Sequence, residues 1–199
     1  MNRSGWRSHL VVLGTALIAC IYLLSLSSLP ALAAVGSITE FSPASLPRGI
    51  TAGPDGNLWF AESDHIGRIT PGGNITEFPI PTKSSGPWGI TAGPDGNLWF
   101  AEDAGNRIGR ITPSGSFTEF PIPTTGSVPF SITSGPDGNL WFTAFDGNSI
   151  WRLTPSGSFT GAFHTPTKTS RPYSITVGPD GNLWFTEYIG NKIGRLSMH

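Results

Sequence analysis

The octapeptide GPDGNLWF occupies residues 53–60 and recurs unchanged at 93–100, 135–142 and 178–185. Its copies start 40, 42 and 43 residues apart. A period in the low forties, written in short β-compatible runs, is the spacing of propeller blades, each a radial sheet of four antiparallel strands. The second unit reads most clearly. GITAG (89–93) carries the β-favouring Ile90 and Thr91, and PDGN supplies a turn, with proline suited to its second position and glycine to the left-handed one. LWFAE (98–102) follows as a strand whose period of two sends Leu98, Phe100 and Glu102 to one side and Trp99 and Ala101 to the other. Beyond the DAGN loop, RIGRIT (107–112) is a third strand and FTEFPIP (117–123) the outermost, where Pro121 and Pro123 cost least.

Composition agrees with an all-β chain. Charged residues make up 13% of the 199, while there are 26 glycines and 18 prolines, which suits short strands and tight turns. The formal charge is −1 and no Lys/Arg run is present, which argues against nucleic acid as a partner.

The first 33 residues differ in kind. Arg3 and Arg7 precede an apolar run from Leu10 to Leu24, and Ala31-Leu32-Ala33 forms an A-x-A site, the pattern of a secretory signal peptide cleaved before Ala34. Two alternatives stay open: an uncleaved anchor, and a lipobox at Leu17–Cys20 that would lipidate Cys20. Cys20 is the only cysteine, so a cleaved chain holds no disulfide, thiolate metal site or cysteine nucleophile. Cleavage leaves ten basic against 13 acidic residues, a mildly acidic protein expected outside the cytoplasm and meeting membrane only through its leader.

The propeller is expected over 34–199, with repeats at about 47–86, 87–128, 129–171 and 172–199. SITEFS (37–42) matches the fourth strand NITEFP (74–79), whereas IGRLSMH (193–199) ends on a third strand. An outer strand without a blade and a blade without an outer strand predict that 37–42 completes the last blade and closes a four-bladed ring. Exchange of that strand with a neighbouring copy, giving an eight-bladed dimer, is the alternative, as is an arc of a larger ring.

The combination of GITAGPDGNLWF, GNRIGRIT or GNKIGRL, and SGSFTEFPIPT resembles the repeats of the virginiamycin B lyase (streptogramin lyase) family across 37–199. The resemblance implies a propeller and, in active members with seven blades, Mg-assisted eliminative opening of a cyclic depsipeptide at its ester. Those members place a histidine directly after the proline that precedes the first strand of two blades, one serving as the base and the other contacting substrate. Here Arg48, Trp88, Phe130 and Tyr173 stand at those places. The family's metal-binding glutamate before that proline is replaced by Leu46, Gly86, Val128 and Arg171, and its second metal carboxylate by Ser63, Asp103, Phe145 and Tyr188. Asp103 alone retains a carboxylate there.

Candidate site residues follow from strand polarity. If the GPDGN turns lie at one end of the blades, the starts of first strands and the ends of second strands meet at the other. Arg48, Trp88, Phe130 and Tyr173 are then expected to share a rim with Glu62, Glu102 and Glu187, as a ligand-binding surface. The competing structural reading has each glutamate pairing with Arg68, Arg110 or Arg195. His65 and Glu102 are the candidate catalytic groups, and Glu102 with Asp103 the candidate magnesium ligands. The repeated Asp55, Asp95, Asp137 and Asp180 read as turn residues, and Trp59, Trp99, Trp141 and Trp184 as packing between blades. The expected function is binding of a small-molecule or cell-envelope ligand by a propeller lacking the family histidines. A metal-dependent lyase or lactonase-like hydrolase is the alternative.

Overall fold

The computed structural model describes residues 36–198, so the expected leader, its cleavage site and Cys20 lie outside the described residues. The unit Glu40–His199 carries fifteen strands. β1 (Ile50–Ala52), β2 (Leu58–Ala61), β3 (His65–Ile69) and β4 (Ile75–Pro79) form the first sheet. β5 (Pro87–Ala92), β6 (Leu98–Glu102), β7 (Arg107–Ile111) and β8 (Phe117–Pro121) form the second, and β9 (Pro129–Ser134), β10 (Leu140–Ala144), β11 (Ser149–Leu153) and β12 (Phe159–His164) the third. The fourth holds β13 (Pro172–Val177), β14 (Leu183–Glu187) and β15 (Lys192–Leu196). Every pairing is antiparallel between sequence neighbours. These are the blades of an all-β propeller.

The octapeptide explains why each blade begins alike. In every copy the aspartate Oδ1 accepts a hydrogen bond at 2.9 Å from the indole of the tryptophan four residues on. Its other oxygen accepts the side-chain amide of Asn57, Asn97, Asn139 or Asn182 at 2.8–2.9 Å. Gly56 takes φ of 76°, which a side chain at that turn position would resist. At Gly53 the indole comes so close that a Cβ would lie 2.3 Å from Trp59 Cδ1. The string therefore folds as one local unit: turn, carboxylate, and the aromatic it caps.

The alternation read from LWFAE separates two interfaces. Leu98 and Phe100 bury against Trp59, Ala61, Ile66 and Ile80 of the first blade, whereas Trp99 and Ala101 bury against Ile132, Leu140 and Phe142 of the third. A third such cluster joins Trp141 and Ile150 to Ile175, Leu183 and Phe185. Trp59 and Trp99 also stack on Phe78 and Phe120 of their own outer strands at 5.5 and 5.3 Å, while Arg68 and Arg110 cover the same rings at 5.6 and 5.5 Å.

The expected closure is not what forms. Residues 37–42 adopt no strand, and the fourth sheet has three strands, not four. The innermost strands pack in the sequence β1, β5, β9, β13, which puts the first and fourth blades at opposite ends of a row. Phe41 lies on the first blade, where a Cβ at Gly73 would meet its ring at 2.2 Å. It is thus occupied at one end of the row while the blade lacking a strand is at the other.

Candidate functional site

The expected strand polarity holds. Pro87 pairs with Glu102, Pro129 with Ala144 and Pro172 with Glu187, so first strands start where second strands end. The first strands of the second, third and fourth blades each carry one extra residue just after the proline, between Pro87 and Ile90, Pro129 and Ile132, and Pro172 and Ile175. A bulge breaks the regular alternation and re-aims the side chains beside it, here the aromatic ones.

Those side chains form a row. The ring centroids of Trp88 and Phe130 are 5.0 Å apart, and those of Phe130 and Tyr173 also 5.0 Å. The Arg48 guanidinium lies 4.5 Å from the Trp88 ring and donates to the Pro87 carbonyl at 3.1 Å. The four residues line a shallow cavity of about 270 Å³. The structure thus brings together, one per blade, the positions where active family members are expected to carry histidine.

Two further rings extend the row and escaped the reading from sequence. Phe145 packs on Phe130 at 4.9 Å, and Tyr188 on Tyr173 at 5.9 Å. Arg171 covers Phe145 at 5.1 Å and pairs with Asp146 at 3.3 Å. The signal was present, because Phe145 and Tyr188 follow the ends of second strands that were placed on this rim; they were weighed only as missing metal carboxylates.

The three carboxylates expected on the rim lie beneath it. Glu62 and Glu102 are 0% exposed and Glu187 5%, so a ligand resting on the rings does not reach them from solvent. Glu62 accepts the Ser45 amide at 3.0 Å and its hydroxyl at 2.7 Å. Both oxygens of Glu102 lack a hydrogen-bond donor. Burial, reinforced by the nearby Glu119 carboxylate and only partly opposed by Arg107, pushes Glu102 up to about 8. The pairing of these glutamates with strand-three arginines does not form either. Arg110 and Arg195 pair instead with Asp95 and Asp180 of the turns at 3.6 and 3.8 Å, and Arg68 donates to the Pro113 carbonyl at 3.2 Å. The arginines are drawn to the opposite end of the blade by the tryptophan faces they cover.

The candidate magnesium ligands do not fit the ion. Mg²⁺ requires about six oxygens in near-octahedral order, usually with one or two free carboxylates. Asp103 accepts the Trp88 indole N–H at 2.8 Å and the Ala104 amide, while Glu102 is buried and raised toward its neutral form. Among the described residues no group of three or more His, Cys, Asp or Glu is placed to hold a metal ion. His65 opens β3, the third strand from the inner edge, and its carbonyl accepts the Glu62 amide. It belongs to the strand ladder, and no carboxylate pairs with it among the described residues.

Comparison with known proteins places this geometry in a lineage. The chain is similar to a catalytically inactive histidine-to-alanine virginiamycin B lyase from Staphylococcus aureus with quinupristin, with 51% identity and a TM-score of 0.76 over 81% of this chain and 55% of that one. It is also similar to a selenomethionine-substituted virginiamycin B lyase from the same organism, with 48% identity and a TM-score of 0.78 over 82% of this chain and 57% of that one. The WD40 β-propeller domain of Doa1 shares the fold at 12% identity, with a TM-score of 0.66 over 79% of this chain and 53% of that one. The chain therefore spans a little over half the length of the solved lyases. No curated protein matches it significantly. The virginiamycin B lyase family model matches residues 26–199, and the chain belongs to that family.

Proposed function

We propose that this protein is an exported, streptogramin lyase-like propeller that binds a ligand through the aromatic row and does not break a bond in it. The observation that carries this reading is the replacement of the family's histidine positions by Arg48, Trp88, Phe130 and Tyr173, whose rings stand about 5.0 Å apart along one rim. Stacked rings beside a guanidinium favour a flat, unsaturated or aromatic group, held by dispersion and cation–π attraction. No histidine stands among the four. A cyclic depsipeptide with aromatic side chains has the matching chemistry, and quinupristin, present with the similar S. aureus lyase, is the probe of choice.

Titrating quinupristin while following tryptophan fluorescence tests binding. A saturable change that Trp88→Ala abolishes supports the reading, and a flat titration with the folded protein overturns it. The second reading is a metal-dependent lyase or hydrolase using Glu102. Family membership and a carboxyl raised to about 8, within the useful range for proton transfer, favour it, while the complete burial of that carboxyl weighs against it.

A further inference from the structure

The backbone just ahead of the rim has the same form in three blades, and in one of them it carries a charge. The residues before Pro87, Pro129 and Pro172 take a left-handed backbone, with φ of 61° at Gly86, 51° at Val128 and 51° at Arg171. Their carbonyls accept the amides of the residues that follow the second strands, Asp103 at 3.2 Å, Phe145 at 3.0 Å and Tyr188 at 3.0 Å. The Arg171 amide is fixed as well, donating to Asn148 Oδ1 at 3.1 Å. Residues other than glycine seldom adopt this backbone and keep it only where the surroundings determine it. A Cβ on Gly86 would run into the Asp103 carboxylate, so a side chain at this position starts out toward the rim. Gly86 and Val128 place no charge there, whereas Arg171 does.

Arg171 spans the junction between the third and fourth blades. Its guanidinium lies 5.1 Å from the Phe145 ring, which packs in turn on Phe130 at 4.9 Å and Tyr173 at 6.2 Å. The cation is thus one ring away from the row. Its partner is Asp146, met through Nε at 3.3 Å, with 46% of each side chain exposed. The loops equivalent to FDGN (145–148) read DAGN at 103–106 and YIGN at 188–191, so of the three only the loop facing Arg171 has aspartate at its second position. An ion pair this exposed contributes little to stability. It does show that a carboxylate fits against this guanidinium, in contact with solvent and beside an aromatic surface.

We infer that Arg171 determines specificity at the rim, and that the ligand held by the aromatic row carries a carboxylate which takes the place of Asp146 on the guanidinium. The inference rests on the reading of the row as a binding site and adds the ligand's class: a flat aromatic group joined to an acid, as in an aromatic peptide with a free carboxyl end. A planar guanidinium matches a carboxylate through two parallel N–H···O bonds, stronger than those between neutral groups. The exchange costs little, because the pair it breaks is a solvent-exposed one and the guanidinium stays paired in both states. Among depsipeptides the ring-opened acid has this composition, whereas a ring closed through its ester has no carboxylate at that point.

Titrations followed by tryptophan fluorescence test this with quinupristin, its ring-opened acid from ester hydrolysis, and the ring-opened primary amide from ammonolysis, which matches the acid in shape and lacks its charge. The acid is expected to bind the wild type about tenfold more tightly than the amide, the order expected for one charge-assisted pair. Arg171→Gln is expected to bring the acid down to the amide's affinity and leave the amide unchanged. Asp146→Asn removes the competing carboxylate, and is expected to tighten the acid several-fold with no effect on the amide. Both substitutions fall on half-exposed side chains, and circular dichroism checks that the fold is kept. Equal affinities of acid and amide for the wild type, or an acid preference that survives Arg171→Gln or is lost in Arg48→Gln instead, would overturn the inference while leaving the aromatic row as a binding site. If none of the three compounds binds, the row itself fails as a site and the inference falls with it.

Discussion

The indole nitrogen of Trp99 donates to Asp95 Oδ1 at 2.9 Å, and the Arg110 guanidinium lies on the other side, 3.6 Å from Asp95 and 5.5 Å from the Trp99 ring. One carboxylate thus fixes the orientation of a fully buried aromatic that joins two blades. Removing it in Asp95→Ala leaves a buried indole N–H without an acceptor, for which about 1–3 kcal/mol of stability is expected to be lost. Urea unfolding measures this, and an unchanged midpoint would show that the bond does not hold the tryptophan.

Glu102 sets a pH dependence whose sign is fixed by its burial. Its folded-state pKa, about 8, lies above the ordinary value of 4.5, so the folded state resists ionisation. The stability associated with the neutral carboxyl is complete below about pH 4.5 and is lost progressively as pH rises toward and through 8. Glu102→Gln keeps the shape and cannot ionise. It is expected to be more stable than the wild type at pH 9 by a few kcal/mol, with the difference shrinking toward pH 5. Thermal or urea unfolding across that range reads the effect, and parallel curves for the two proteins would contradict it.

Gly115 is expected to tolerate no side chain. Its φ is 94° and a Cβ would come within 2.6 Å of Phe78, which ties the first blade to the second. Gly115→Ala therefore combines backbone strain with overpacking, at a cost of about 1–3 kcal/mol. Gly56→Ala meets open space and suffers the backbone term only, so the first variant is expected to unfold at lower urea than the second.

Asp103 positions Trp88 through a 2.8 Å hydrogen bond from the indole. Asp103→Ala is expected to weaken quinupristin binding by about tenfold, the order expected when one charge-assisted bond that orients a binding group is lost, while leaving the unfolding midpoint nearly unchanged at this partly exposed site. If Asp103 instead served a metal, Mg²⁺ would strengthen binding in the wild type and not in the variant, and comparing titrations with and without the ion separates the two.

The repeat made most of the fold legible. The octapeptide gave the turn, the second strand and the two faces of LWFAE, because turn chemistry and period-two burial are local properties. Closure was not local. The fourth blade carried correct strand signals, whereas SITEFS forms no strand, because an outer strand needs a blade beside it and the distance between the two along the row is something no single repeat encodes. At the site, strand polarity correctly brought Arg48, Trp88, Phe130 and Tyr173 to one end. It could not show that Glu62, Glu102 and Glu187 turn inward, since alternation along the strand gives a direction and only the neighbouring blade decides whether that direction meets solvent or protein.

The aromatic row is proposed to bind its ligand without cleaving it. Mass spectrometry of quinupristin incubated with the purified protein and Mg²⁺, with a chelator control, tests it most directly. Elimination at an ester leaves the mass of a ring unchanged, so a second fragmentation stage is needed to tell linear from cyclic product. The antibiotic is expected to remain cyclic under both conditions while still changing the tryptophan fluorescence. Mg²⁺-dependent appearance of the linear product, abolished in Glu102→Ala, would contradict it.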